Sequence, residues 1–203
     1  MKKLVILLLA SLIATSAFAV IDPDPNMMGI YFDYDADVNC ITTPANTPFF
    51  AYLILTNTTA PAINAYELGV INAVPDGMEG MIFRLASNIA DNVVNGVNVG
   101  VNDALGGDYI VGLAEPLPAQ PALILHSWQY MLLAEFSVEM FIMQSSMPSI
   151  EGVYPVVQNA EGSILMQVGQ STGGPDIPVA GINNGCAIAI EEASFGSVKS
   201  LFR

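Results

Sequence analysis

The chain is poor in positive charge: five of its 203 residues are Lys or Arg, against nineteen Asp and Glu. Two of the five, Lys2 and Lys3, sit at the extreme N-terminus. The remaining three cannot assemble a basic patch, which argues against nucleic acid and anionic membrane surfaces as partners. Histidine occurs once, as His126, so a zinc site would need thiols or further nitrogen ligands that the chain does not supply nearby. Ser127 follows it directly, but adjacent residues on a strand point to opposite faces, and no Gly-x-Ser-x-Gly elbow accompanies the pair. His126 therefore reads as a partly buried structural residue. The glycine pairs at Gly106-Gly107 and Gly173-Gly174 lack the basic residue and helix that a phosphate cradle uses, and read as turns. Lys and Glu are too scarce for exposed helices, which removes a helical bundle. Past the first twenty residues no apolar run reaches the roughly 20 residues of a membrane-spanning helix.

What is present begins with an address. Residues 1–19, MKKLVILLLASLIATSAFA, have a positive start, an apolar middle and a small-x-small end at Ala17-Phe18-Ala19. That layout predicts a signal peptide cleaved after Ala19 and a secreted, extracellular or periplasmic protein. No cysteine stands at the cleavage point to carry a lipid. The expected organisation is a signal peptide at 1–19, one domain at 20–190 and a short tail at 191–203. After cleavage, three cations (Arg84, Lys199, Arg203) face all nineteen acids, a formal charge of −16. Such a surface favours solubility and cation binding.

Turn residues recur every ten or so positions, with short apolar or alternating runs between them. The runs at 29–34, 49–56, 63–74, 81–85, 97–101, 109–113, 122–133, 136–143, 153–157, 164–168 and 187–190 predict about eleven strands. Pro116-Leu117-Pro118 is expected to close the sixth. This pattern predicts an all-β antiparallel sandwich of jelly-roll type. Only the tail has a helix-like order, with Glu191 and Glu192 first and Lys199 and Arg203 late.

Cys40 and Cys186 are the only cysteines, and in an oxidising compartment they predict a disulfide stapling the first and last strands. Asp33, Asp35 and Asp37 alternate along an acidic turn and offer hard oxygen ligands for calcium. An EF-hand would need glycine and glutamate where Val38 and Pro44 stand, so only a looser calcium site, or a solvated turn, remains. Trp128 and Tyr130 share one strand face, as do Phe50 and Tyr52, and either pair could present sugar-binding aromatics or fill the core. Acid pairs such as Glu135 with Glu139, or Glu191 with Glu192, have no catalytic specificity in so acidic a chain. No catalytic residue is assigned.

The segments MGIYFDYDADVNC, FFAYLILTNTTAPAINAYE, YIVGLAEPLP and the ending SFGSVKSLFR resemble a group of secreted bacterial proteins with one sandwich domain behind a signal peptide. Those proteins often end in aromatic-Gly-x-x-Lys-x-Leu-aromatic-Arg. The strand order is also similar to that of cohesins and carbohydrate-binding modules, which share a nine-stranded jelly roll. The cohesin resemblance implies protein–protein binding through a sheet face; the carbohydrate-module resemblance implies glycan binding. Neither family's binding residues can be placed on this sequence one by one. The expectation is a non-enzymatic interaction or structural module for an extracellular protein or polysaccharide, with a carboxylate-based hydrolase the least favoured alternative.

Overall fold

The computed structural model describes residues 23–90 and 95–185; the leader, Cys186, the strand expected at 187–190 and the tail lie outside them. The described residues form fourteen strands and one 3-10 turn at Glu79–Met81, with no α-helix among them. Sheet A contains β1 (Met27–Tyr31), β3 (Phe49–Thr56), β5 (Ile82–Ile89), β9 (Ala122–Leu132) and β13 (Gly169–Gln170), in the order β13-β1-β3-β9-β5. Sheet B has the long pair β4 (Ala62–Ala73) and β8 (Gly106–Pro118) as its spine. On one side of β8 lie β6 (Gly96–Asn98) and β7 (Asn102–Asp103). The free edge of β4 takes β11 (Val156–Asn159) along its first half and β10 (Val138–Met143) along its second. The short strands β12 (Leu165–Gln167), β14 (Ala180–Ile182) and β2 (Cys40–Ile41) finish the sheet.

The result is the expected all-β sandwich, with one refinement. Two edge pairs, β1 with β13 and β14 with β2, are parallel; the other pairings are antiparallel. Both parallel pairs are only two residues long, too short to leave any periodic signal in the sequence.

The core explains why these segments are strands. On β3, Ala51, Leu53 and Leu55 point between the sheets, while Tyr52 and Ile54 are buried on the other side of the same strand. Sheet A thus buries both faces over its centre, so β3 reads as a continuous apolar run instead of an alternating one. On β9, Leu53 of β3 pairs with His126 and Ile54 with Ile124, leaving Leu125 as the extra residue of a β-bulge. The bulge turns both Leu125 and His126 into the interior, where each is almost wholly buried. From there Trp128, Tyr130 and Leu132 continue inward by two-residue alternation.

Pro116 and Pro118 do not close β8; the strand runs through them to pair with Ile63 and Ala62 of β4. On its other edge the ladder among the described residues stops at the Gly96–Leu113 pair of β6. Proline is tolerated where no ladder bond is required, so the two prolines mark an edge and not an end.

β14 and β2 bring Cys40 opposite Gly181, and Cys40 Sγ lies 3.5 Å from Asn184 Oδ1. The chain therefore runs past Cys40 shortly before it reaches Cys186, itself outside the described residues.

Candidate interaction face

The interior contains a linked set of aromatic and polar side chains. Tyr66 Oη donates to the Leu125 carbonyl at 2.8 Å and lies 2.9 Å from His126 Nδ1. With its one proton spent on that carbonyl, Tyr66 accepts from Nδ1–H, which leaves Nε2 as an acceptor for Ser87 Oγ at 2.8 Å. Burial first, and Arg84 second, push the His126 imidazole down to about 3, so it stays neutral. Burial likewise raises the Tyr66 and Tyr130 phenols well above their ordinary range. Trp128 Nε1 donates to Tyr109 Oη at 2.8 Å, and Arg84 donates to the same oxygen at 2.8 Å and to Asn102 Oδ1 at 2.7 Å.

Ser87 on His126 resembles a nucleophile on its base. Catalysis would make His126 an imidazolium, however, and Arg84 acts against that charge. The pair works as a polar tie between β5, β9 and β4. Ser87 and Tyr66 lie 39 and 60 residues from His126 in sequence, which is why only His126 was legible there.

The sugar-binding expectation for Trp128 and Tyr130 is corrected by burial. Both are fully enclosed between the sheets, and a ring without a free face cannot stack on a sugar. Phe50 and Tyr52 lie instead on the outer face of sheet A, their rings stacked at 6.2 Å.

The acidic turn is also reassigned. Asp33 Oδ1 accepts the amides of Asp37 and Val38, each at 3.1 Å, so that carboxylate closes its own loop. Ala36 at the centre has φ 63° and is buried with Tyr31, Tyr52 and Ile54, while Tyr34 packs its ring 4.5 Å from that of Tyr52. Partial burial, and then Asp33 and Asp35, raise the Asp37 carboxyl. Among the described residues no three His, Cys, Asp or Glu side chains gather as metal ligands, so Asp33, Asp35 and Asp37 do not converge on a calcium position. The loop is a cover for the outer face of sheet A.

The outer face of sheet B is open along residues 97–101. Along Val97, Asn98, Val99, Gly100, Val101 and Asn102 an alternating pattern would ordinarily place the valines inside. The structure inverts it. Val97, Val99 and Val101 are 65%, 67% and 86% exposed. The asparagines take the structural work: Asn98 Oδ1 accepts the Ile110 and Gly100 amides at 3.0 and 2.9 Å, and Asn102 Nδ2 donates to the Asp108 carbonyl at 2.8 Å. Val97 and Val99 line a groove of about 310 Å³ with Ala65, Ile110, Val156 and Leu165, and Val101 stands beside a neighbouring one with Gly69 and Gly106. The rows of the first groove follow the ladder, with Val97 opposite Gly112, Gly112 opposite Ala65, and Ala65 opposite Gln158.

The loop at 144–155 borders this groove and is fastened by two carboxylates. Glu67, nearly buried, accepts Ser149 N and Ser149 Oγ, both at 2.6 Å. Asp108 accepts Ser146 N at 2.8 Å and also the Ser146 hydroxyl. Burial alone would raise the Asp108 carboxyl, but the hydrogen bonds from Ser146 and Ser145 outweigh it and lower the pKa. Glu67 is the one charged residue among those lining the groove. Among the described residues Arg84 is the only Lys or Arg, and it is turned toward Tyr109 and Asn102.

No family model matches the chain, and no curated protein matches it. Its architecture nevertheless has solved counterparts, and they are cohesins. A type II cohesin domain from the cellulosome of Acetivibrio cellulolyticus superposes with a TM-score of 0.53 at 14% identity, over 80% of this chain and 97% of that one. The second type II cohesin module of the ScaA scaffoldin of the same organism gives 0.52 at 10% identity, over 84% and 97%. The sixth cohesin of its scaffoldin B, solved in complex with a Cel5 dockerin mutant, gives 0.51 at 10% identity, over 79% and 99%. At these identities the likeness is one of fold: the chain has a cohesin-like β-sandwich.

Proposed function

We propose that this chain is an exported, non-enzymatic module that binds a protein partner on the outer face of sheet B. The observation that carries the reading is the inverted 97–102 segment: three valines turned to solvent, two of them, Val97 and Val99, at a groove, with asparagines holding the backbone behind them. Exposed apolar surface of this kind costs solubility and is characteristic of interaction sites. A protein partner is also what the cohesin neighbour solved with a dockerin engages. The glycan reading has lost Trp128 and Tyr130 to the core.

The test is a pull-down with immobilised mature protein from culture supernatant and cell envelope. The expected result is one defined protein, absent when the bait carries Val97→Asp and Val99→Asp. Recovery of polysaccharide alone, indifferent to those substitutions, would overturn the reading. Export also bears on the cysteines: we infer a Cys40–Cys186 disulfide, for which the approach of the chain past Cys40 is the support. Thiol alkylation should modify neither cysteine until the unfolded protein is reduced.

A further inference from the structure

Sheet edges in this chain are kept short, with one exception. Among the described strands, sheet A ends on one side in β13, two residues long. Sheet B ends in β12, β2, β6 and β7, of two or three residues each. Where β8 runs on beyond β6, Pro116 and Pro118 stand in it. β5 forms the other end of sheet A with eight residues, Ile82–Ile89, and among the described strands it pairs with β9 alone. We infer that the free edge of β5 is a self-association site, where two copies of this chain join antiparallel about a two-fold axis into one continuous sheet. The inference concerns sheet A and stands apart from the reading of sheet B as a partner surface.

The first argument is what β5 lacks. An edge strand presents unpaired N–H and C=O groups, and proteins guard such edges with lysine, proline or short length. β5 has neither Lys nor Pro, and its one charged side chain, Arg84, is drawn inside to Tyr109 and Asn102. Of its eight residues only Ile82 is buried. Ile82 pairs with the inward Leu132, which places Phe83 on the outer face, where it is 44% exposed; Leu85 is 47% exposed. Ser87 is exposed even though its Oγ reaches His126, so the side of the sandwich at β5 is open to solvent.

A second copy fits this edge better than an unrelated strand. Antiparallel pairing about a two-fold is isologous, so each edge offers the donors and acceptors that the other needs. Leu85 is the extra residue of a β-bulge between Arg84 and Ala86 in the pairing with β9, and a bulge bends an edge away from straight partners. A copy turned about an axis at Leu85 carries the same bend at the same place. Pairing of this kind sets Phe83 and Leu85 of both copies on one outer face. Charge permits the approach. The mature chain has a formal charge of −16, but β5 contains no Asp or Glu, so the meeting strands add no carboxylate to that repulsion.

Sedimentation of the intact mature protein over a dilution series provides the test. One strand edge buries less than a standard interface of about 1,600 Å², so the dimer is a weak one that forms as concentration rises. Added salt screens the charge on the two copies and should strengthen it. Leu85→Lys should weaken the dimer about tenfold or more, even though the added cation by itself lowers the repulsion. Val99→Ser, on sheet B, should leave it unchanged. Hydrogen exchange reads the same edge without a substitution. The β5 amides that point away from β9 should exchange about tenfold or more slowly in concentrated than in dilute protein. A single copy at every concentration and salt, a dimer that Leu85→Lys leaves intact, or one that Val99→Ser dissolves would each overturn edge pairing. So would edge amides already protected in the dilute monomer, since another part of the chain would then cover β5.

Discussion

Two patches of this sandwich, one on the outer face of each sheet, are treated in opposite ways. Sheet A folds its own acidic loop over Tyr31, Tyr52 and Ile54, and holds it with Asp33 on the loop amides and Tyr34 on Tyr52. Sheet B draws its 144–155 loop to one side with Glu67 and Asp108, and among the described residues nothing is folded over Val97, Val99 and Val101. An apolar face that the chain covers itself contributes to stability. One that it leaves bare, while its backbone is secured by asparagines, is available for a partner.

Acid is the harshest way to probe this contrast, because it acts first on the core that both faces share. His126 is held neutral with a pKa near 3, whereas an unfolded histidine titrates near 6.5. The unfolded state therefore binds the extra proton in that window. Stability should fall as pH drops from about 6.5 toward 3, by an amount on the order of 4 kcal/mol, measured by urea unfolding at each pH. His126→Gln should flatten the profile.

The two loops should then part company. Asp108 has a lowered carboxyl pKa, so the stability it lends is present above its unfolded value and lost as pH falls through the folded one. Asp37 has a raised one, so its contribution is present at low pH and lost as pH rises through the folded value. The amide resonances of Ser146 and Asp37 should report these opposite titrations.

Substitutions on the two faces should differ next. Ile54→Ala, under the loop of sheet A, is expected to cost about 2–4 kcal/mol, whereas Val99→Ala on the bare face should change stability by no more than about 0.5 kcal/mol. Equal costs in denaturant titrations would erase the distinction between a covered and an open face. Glu67→Gln should cost about 1–3 kcal/mol by weakening two charge-assisted bonds to Ser149, with faster proteolysis confined to 144–155. The smallest effect is expected from calcium. With Asp33 committed to the Asp37 and Val38 amides, a chelator should leave the melting midpoint unchanged.

The same contrast explains what the sequence could and could not reveal. Phe49–Thr56 was legible to the residue, because aromatic and branched side chains mark a strand whichever way they point. Which way they point was not legible for Trp128 and Tyr130. Alternation assigns residues to two faces, but the identity of the inner face depends on which sheet lies opposite. The run read as a strand at 97–101 is a strand only to Asn98 and bends at Gly100 before β7, and its valines gave no hint of facing water until Asn98 and Asn102 were seen holding the backbone. Asp33, Asp35 and Asp37 were legible as a cluster but not as a cover, since that role depends on Ala36 entering a left-handed conformation beneath Tyr34. The short strands β2, β13 and β14 are fixed by edges formed far away in sequence, and nothing local announces them.

The most direct measurement compares three baits, wild type, Val99→Asp and Phe83→Asp, in the capture of the same envelope protein. Val99 stands on the bare face of sheet B, and Phe83, 44% exposed, belongs to β5 of sheet A. Binding through sheet B predicts that Val99→Asp abolishes capture while Phe83→Asp leaves it at the wild-type level. Loss with Phe83→Asp and retention with Val99→Asp would contradict it.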